Sequence, residues 1–245
     1  DGKVVDQKWT ITDIRFKEDE NGYIDLHELP QCKKNNDGVI TAKAPYVIGG
    51  DISGLGTDAN TAKVINNLNK TTAATLRKER MDEDLYAEQL YCLGKYYNDA
   101  LIGIETNYSR QSTRVLERYE YPNIYIRERV DTIMNTVEKV LGFETTSKTR
   151  PIIIAELTEL IREDATIEVD VATLKEMLVF VKKDNGRKEA QEGEHDDLVM
   201  ALAIAHFISR QQTCLWIEVK PEEDNFIEEN FHSQTQETNF INWDE

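Results

Sequence analysis

No stretch of the chain reaches the ~18 apolar residues of a membrane-spanning helix, and no charged-then-apolar signal segment opens it. Cysteine is scarce. Cys32, Cys92 and Cys214 are an odd number without metal-ligand spacing, which argues against a disulfide framework and against a zinc site. A Gly-x-x-x-x-Gly-Lys-Ser/Thr loop is absent, so the chain carries no P-loop ATPase module. Positive charge is in deficit: 29 Lys and Arg stand against 46 Asp and Glu, for a net charge of −17. A protein that coats nucleic acid through its overall field is basic, so that class is excluded. Contact with a polyanion has to be local, with metal ions offsetting the protein's own carboxylates.

What is present is enough for a real core. The 245 residues are 40% apolar and allow one large domain with appendages or two small ones. The chain opens on Asp1 rather than Met, and we read it as a fragment of something longer. Residues 211–245 form an acidic C-terminal tail, with eight carboxylates and no Lys or Arg after residue 220. Its composition predicts weak order, although Phe226, Ile227, Phe231, Phe240, Ile241 and Trp243 offer apolar groups for docking or folding back.

Along the chain, residues 8–16 and 23–29 alternate apolar and polar, with Glu20-Asn21-Gly22 between them as a hairpin signal. Asp19, Asn21, Gly22 and Glu28 imitate a calcium loop, but Lys17 at the first ligand position dismisses it. Residues 1–45 thus read as a linker with a small β element, and the main domain spans 46–210. Three strands with short connections (46–50, 61–68, 72–78) predict an antiparallel meander. A helix capped by Asp82 follows over 82–97, with Leu85, Gln89, Leu93 and Tyr96 on helical spacing. A strand over 100–105, a helix near 109–119 and a strand over 123–128 come next. Helices over 150–162 and 171–175, a strand over 176–182 ending at Asn185-Gly186, and a helix over 197–210 complete the order. The last helix is apolar around nearly its whole circumference, the mark of a helix buried between layers. This order predicts an α/β fold: a mixed sheet, the meander extended by parallel strands, with helices on both faces.

Three acidic positions stand out. Asp51 ends the first strand of the meander, where Gly49, Gly50, Gly54 and Gly56 permit close approach; a simple Asp-Gly turn is the bland alternative. Glu105 ends the apolar run Leu101–Ile104, where a carboxylate needs a partner, water or metal unless it faces solvent. Asp196 and Asp197 open the buried helix, with His195, Glu192 and Glu194 close by; capping accounts for one of the pair but does not need both. Together they form an all-oxygen set of the kind that binds Mg²⁺ or Mn²⁺.

The segments Gly-Gly-Asp51-Ile-Ser-Gly-Leu-Gly-Thr-Asp58, Ile-Gly-Ile-Glu105-Thr-Asn and Gly-Glu-His195-Asp196-Asp197-Leu-Val-Met-Ala-Leu-Ala resemble the C-terminal nuclease domain of the large terminase subunit of tailed bacteriophages. Residues 142–151, Gly-Phe-Glu-Thr-Thr-Ser-Lys-Thr-Arg-Pro, also resemble it, and the resemblance covers about 46–210. It implies an RNase H-like fold, two divalent cations (Mg²⁺ or Mn²⁺), and an endonuclease that cuts concatemeric viral DNA during packaging in the host cytoplasm. Asp51, Glu105, Asp196 and Asp197 would be the catalytic metal set, with Asp51 reaching both ions, Glu105 one and Asp196 or Asp197 the other, the partner aspartate capping the helix or holding His195. His195 and Asp58 stand beside them, His195 orienting the scissile phosphate or a water, or making a plain hydrogen bond. The partners implied are double-stranded DNA, an N-terminal packaging ATPase domain absent from this chain, a portal and a small terminase subunit, with no membrane.

Lys182, Lys183, Arg187 and Lys188 flank the Asn185-Gly186 turn and suit a DNA guide, with Lys148 and Arg150 as a second edge. Arg110, Arg114 and Arg118 repeat every four residues and read as a solvated face pairing with Glu117. Two other functions compete. A catalytically silent docking module would not need all three acidic positions. An actin- or sugar-kinase-like ATP-binding domain needs a second Asp-x-Gly-x-Thr loop and a glycine-rich adenosine loop, and neither occurs.

Overall fold

The computed structural model describes residues 2–5, 8–11, 14–52, 59–131, 136–183 and 186–212. Asp58, Gly54, Gly56, Asn185 and the tail from residue 213 lie outside the described residues. The first elements are β1 (Gly2–Val5) and β2 (Lys8–Ile11), which pair with each other. They are followed by β3 (Ile24–Leu26) and the hairpin of β4 (Cys32–Lys34) with β5 (Ile40–Lys43). The meander is β6 (Tyr46–Asp51), β7 (Ala59–Asn66) and β8 (Thr72–Glu79). Then come α1 (Glu83–Tyr96), β9 (Leu101–Ile104), α2 (Gln111–Arg118), and the hairpin of β10 (Ile126–Asp131) with β11 (Thr136–Leu141). The chain continues as α3 (Thr149–Glu163), α4 (Val171–Leu178), β12 (Phe180–Lys182), β13 (Lys188–Ala190) and α5 (Asp197–Ile208).

The central sheet has the order β3-β8-β7-β6-β9. The β6–β7–β8 pairs are antiparallel and β6–β9 is parallel, which gives the expected RNase H-like mixed sheet. Parallel bridges Ile102–Ile124 and Glu105–Phe143 extend it beyond β9. Alternation along each strand divides the core in two. Tyr46, Ile48, Ile102 and Ile104 pack with Tyr86, Leu90, Leu93 and Leu116 of α1 and α2. Val47, Ile65 and Leu101 pack on the other face with Ile153, Ile154 and Leu157 of α3 and with α5. Every residue from Leu198 to Ala205 is buried, as the all-round apolar pattern requires.

Three local readings are corrected. Residues 14–19 are not strand, and β3 pairs antiparallel with β8 (Ile24 opposite Leu76) instead of returning along residues 8–16. The Asp19–Gly22 turn does form, with Gly22 N–H donating to the Asp19 carbonyl at 2.9 Å, but it delivers the chain to the sheet edge. Residues 176–178, expected in a strand, complete α4, because Asp170 caps that helix through the N–H groups of Ala172 and Thr173. In α1, Asp82 caps as expected, yet the buried face carries Tyr86, Ala87, Leu90, Leu93 and Gly94 while Leu85 is 42% exposed. The inward stripe is turned by one residue because Tyr86 is drawn toward the sheet at Gly50.

Candidate active site

The register of the sheet assembles the acids. Gly50 of β6 lies opposite Ile104 of β9, so the next pair in the parallel ladder is Asp51 beside Glu105. Glu105 N–H donates to the Gly50 carbonyl at 2.8 Å, which fixes the pairing at this edge. Val47 and Leu101 face α5, so by period-2 alternation Asp51 and Glu105 face it too. The carboxyl ends of parallel strands, where the order of connection reverses, are where open α/β sheets bind ligands.

Helix α5 reaches this edge because glycine lets it lie directly on β6. A Cβ at Gly49 would stand 2.3 Å from the Ala201 carbonyl oxygen and 2.4 Å from the Ala205 nitrogen. On the other face, a Cβ at Gly50 would stand 2.4 Å from the Tyr86 hydroxyl. That hydroxyl donates to the Thr61 carbonyl at 2.6 Å, and the Thr61 hydroxyl donates to the Asp197 carbonyl at 3.0 Å. Thr61 is the register partner of Asp51, so one hydrogen-bond chain ties α1, the meander and the first turn of α5 around the aspartate.

The sequence leaves one aspartate of the pair to cap α5 or to hold His195. Asp196 at the N-cap makes no side-chain cap hydrogen bond. Glu176 of α4 supplies the cap from outside the helix: its Oε2 accepts from Leu198 N–H at 2.9 Å and Val199 N–H at 3.3 Å. Burial raises the Glu176 carboxyl above its ordinary range against the lowering effect of these two bonds. With two N–H groups of the helix end satisfied by Glu176, the Asp196 side chain is not used as a cap. Helix α4 is itself anchored by a buried cluster, in which the Lys63 ammonium lies 3.1 Å from Asp170 and 3.2 Å from Glu168.

Asp51 carries a strong electrostatic signature. Its pKa is raised well above the ordinary carboxylate value, first by burial, then by a hydrogen bond with Glu105, then by the charges of Glu105, Asp197 and Asp196. The four acids predicted from sequence therefore form one electrostatic group. Desolvated like charges hold a proton or require a cation. The donor set is all carboxylate oxygen, which suits a hard divalent ion. Among the described residues, no three such side chains converge closely enough to grip an ion as they stand. Asp51 and Glu105 share a hydrogen bond, and Asp196 Oδ2 is engaged by Arg150 Nη2 at 2.6 Å. His195, 43% exposed, places Nδ1 3.8 Å from Asp197 Oδ2 at the rim.

Three of the basic candidates meet at one acid. Lys183 and Arg187 both bind Glu189 of β13, at 2.9 and 2.8 Å, and the Arg150 charge also reaches Glu189. Lys182 and Lys188 face each other across the β12–β13 hairpin, and Lys148 is exposed at the start of α3. Arg150 is thus placed within the acid cluster rather than on a separate edge. Arg110, Arg114 and Glu117 line a cleft together with Lys139 of β11, a cation that sequence reading did not single out. Glu176, Tyr86 and Thr61 also escaped it. A buried glutamate at a helix-like position was the one available hint.

No protein-family model matches the chain, and no curated protein matches it in sequence. Solved structures do match in fold. The large terminase nuclease from thermophilic phage G20c with bound magnesium superposes with a TM-score of 0.56 at 18% identity, over 79% of this chain and 92% of that one. The same G20c nuclease in a second crystal structure gives 0.52 at 20% identity with the same coverage. The large terminase nuclease domain of Thermus phage P74-26 gives 0.52 at 19% identity, over 79% of this chain and 89% of that one. The chain is therefore similar in fold to these nuclease domains over 79% of its length.

Proposed function

We propose that the chain is a divalent-metal-dependent DNA endonuclease that cuts concatemeric viral DNA during genome packaging. The carrying observation is the grouping of Asp51, Glu105, Asp196 and Asp197 at the carboxyl edge of the parallel pair, with Asp51 strongly protonation-prone. The G20c large terminase nuclease, similar in fold, is known with magnesium, cobalt and zinc bound, which supports the choice of cation class.

Asp51, Glu105 and one or both of Asp196 and Asp197 would hold two ions, Mg²⁺ or Mn²⁺. Bound there, the ions would supply an activated water and neutralise charge on the phosphate and the leaving 3′ oxygen. The protein's own part is positional. The β6–β9 ladder sets Asp51 beside Glu105, the Thr61–Asp197 bond holds the first turn of α5 against them, and His195 stands at the rim to orient a phosphate oxygen or a water. Lys182, Lys183, Arg187, Lys188 and Lys148 would track the DNA backbone locally, since a chain of net charge −17 cannot hold a duplex through its overall field.

In this reading residues 46–210 are the nuclease domain, residues 1–45 lead from a packaging ATPase, and 211–245 are an appended acidic tail. The partners are double-stranded DNA, that ATPase, a portal and a small terminase subunit, in the host cytoplasm. Nicking of supercoiled plasmid with Mn²⁺, Mg²⁺ or EDTA tests the reading. Cleavage should need the metal and vanish in Asp51→Asn. Cleavage in EDTA, or wild-type rates from Asp51→Asn, would refute it.

A further inference from the structure

Arg150 is bonded directly to the acid group, at Asp196. It is the second residue of α3, and its side chain is 16% exposed against 22% for Asp196. The contact uses a single nitrogen, Nη2, on Asp196 Oδ2 at 2.6 Å. Arginine normally meets a carboxylate with two parallel N–H groups. Here Nε is buried and makes no hydrogen bond among the described residues, so the guanidinium is not saturated by the pair. Glu189, which its charge also reaches, has its two oxygens on Lys183 and Arg187. The arginine therefore sits between the acid group and the basic hairpin, bound to the first by one hydrogen bond and not held by the second.

Resting on the metal-nuclease reading, we propose that Arg150 is a built-in competitor of the divalent ion for Asp196, and that DNA relieves the competition. While the guanidinium engages Asp196, that carboxylate is a poorer metal ligand. A DNA phosphodiester is a monoanion whose two non-bridging oxygens match the guanidinium fork, so it takes the guanidinium bidentately, which releases Asp196 to the ion. Metal and DNA then bind cooperatively, each strengthening the other by the same factor. The nuclease stays metal-poor until its substrate is seated. Arg150 is in this sense a positioning residue, acting through Asp196.

The test is Mn²⁺ titration by calorimetry, without DNA and with a short duplex, on the full chain and on Arg150→Gln, which keeps most of the aliphatic stem. Without DNA, Arg150→Gln should bind Mn²⁺ about tenfold more tightly, the scale of one charge-assisted hydrogen bond. Damage to a site loosens binding, so a gain in affinity separates competition from a structural role. Arg162→Ala, which removes an exposed charge from the last turn of the same helix, should leave the affinity within about twofold. With the duplex, the wild type should gain affinity for Mn²⁺ and Arg150→Gln should gain much less. Equal or weaker Mn²⁺ binding by Arg150→Gln, while the wild type binds, overturns the competitor role alone. Failure of the wild type to bind Mn²⁺ with or without the duplex overturns the metal-nuclease reading as well. Should Arg150→Gln melt early, Arg150→Lys serves, and its affinity should fall between the two.

Discussion

Replacing Glu176 asks whether the site depends on a residue that touches no substrate. Glu176 satisfies two of the N–H groups that open α5, Leu198 at 2.9 Å and Val199 at 3.3 Å, from a position 22 residues earlier in the chain. Both groups are buried, so Glu176→Ala leaves two donors without acceptors. At about 1–3 kcal/mol per orphaned donor, less what relaxation and a water recover, the loss should be about 2–4 kcal/mol. For a domain of this size that is a fall in Tm of roughly 5–15 °C.

Glu176→Gln separates the cap from the charge. Its amide oxygen can accept the same two bonds, and it relieves the burial that pushes the carboxyl's pKa up. The glutamine variant should therefore melt within about 1 kcal/mol of wild type, because the lost charge–dipole attraction and the recovered desolvation oppose each other. Melts by circular dichroism at pH 7 in EDTA measure both. Plasmid nicking should fall further for alanine than for glutamine, since Asp197 belongs to the turn being held. Equal stability of the two variants, or an alanine variant within about 0.5 kcal/mol of wild type, refutes the capping argument.

Asp51→Asn should stabilise the protein in EDTA at pH 8. The raised folded-state pKa means stability is lost as pH rises above about 4, so the variant should melt higher and with a flatter pH profile. Asp196→Asn and Asp197→Asn should differ in nicking rate, because one carboxylate is engaged by Arg150 and the other lies by His195; equal, mild losses would mean neither is a ligand. Joint replacement of Lys182, Lys183, Arg187 and Lys188 by Ala should slow nicking and lower the salt slope of DNA binding by up to about four units, with Tm nearly unchanged. His206, buried with both ring nitrogens lacking hydrogen-bond partners among the described residues, has its pKa lowered to about 4 by burial. Stability should fall between pH 6.5 and 4, by about 2 kcal/mol at pH 5, and His206→Leu should remove that slope in urea titrations.

Elements with one buried face were legible because burial writes a period into the sequence. The apolar runs ending at Asp51 and Glu105 and the all-round apolar α5 could be placed, and their ends located the acids. Exposed or edge elements left no such record. Strand β11 was missed because Thr136–Lys139 are exposed and carry no core face. The partner of β3 was misread because a turn at Asp19–Gly22 fixes a change of direction and says nothing about which strand receives the chain. Leu178 is 83% exposed at the end of α4, so its apolar character and that of its neighbours mimicked a strand. The Glu176 cap and the Arg150–Asp196 bond join residues 22 and 46 positions apart, a relation that only the packed helices create.

The site also explains why its frame is built as it is. Burying Asp51 beside Glu105 destabilises the fold at neutral pH, and the chain could relieve this by letting either strand end fray toward water. Several contacts prevent that. Gly49 admits the α5 backbone onto β6, Tyr86 bonds across Gly50 to Thr61, and Thr61 holds the Asp197 carbonyl. Each is a backbone-level restraint on the strand or helix that carries an acid, and none uses the acid's own side chain. The carboxylates are therefore restrained in position by contacts that do not use their own oxygens, as the proposed metal role requires. A frame that satisfied the acids through their own oxygens would be more stable and would be incompatible with the metal role proposed above.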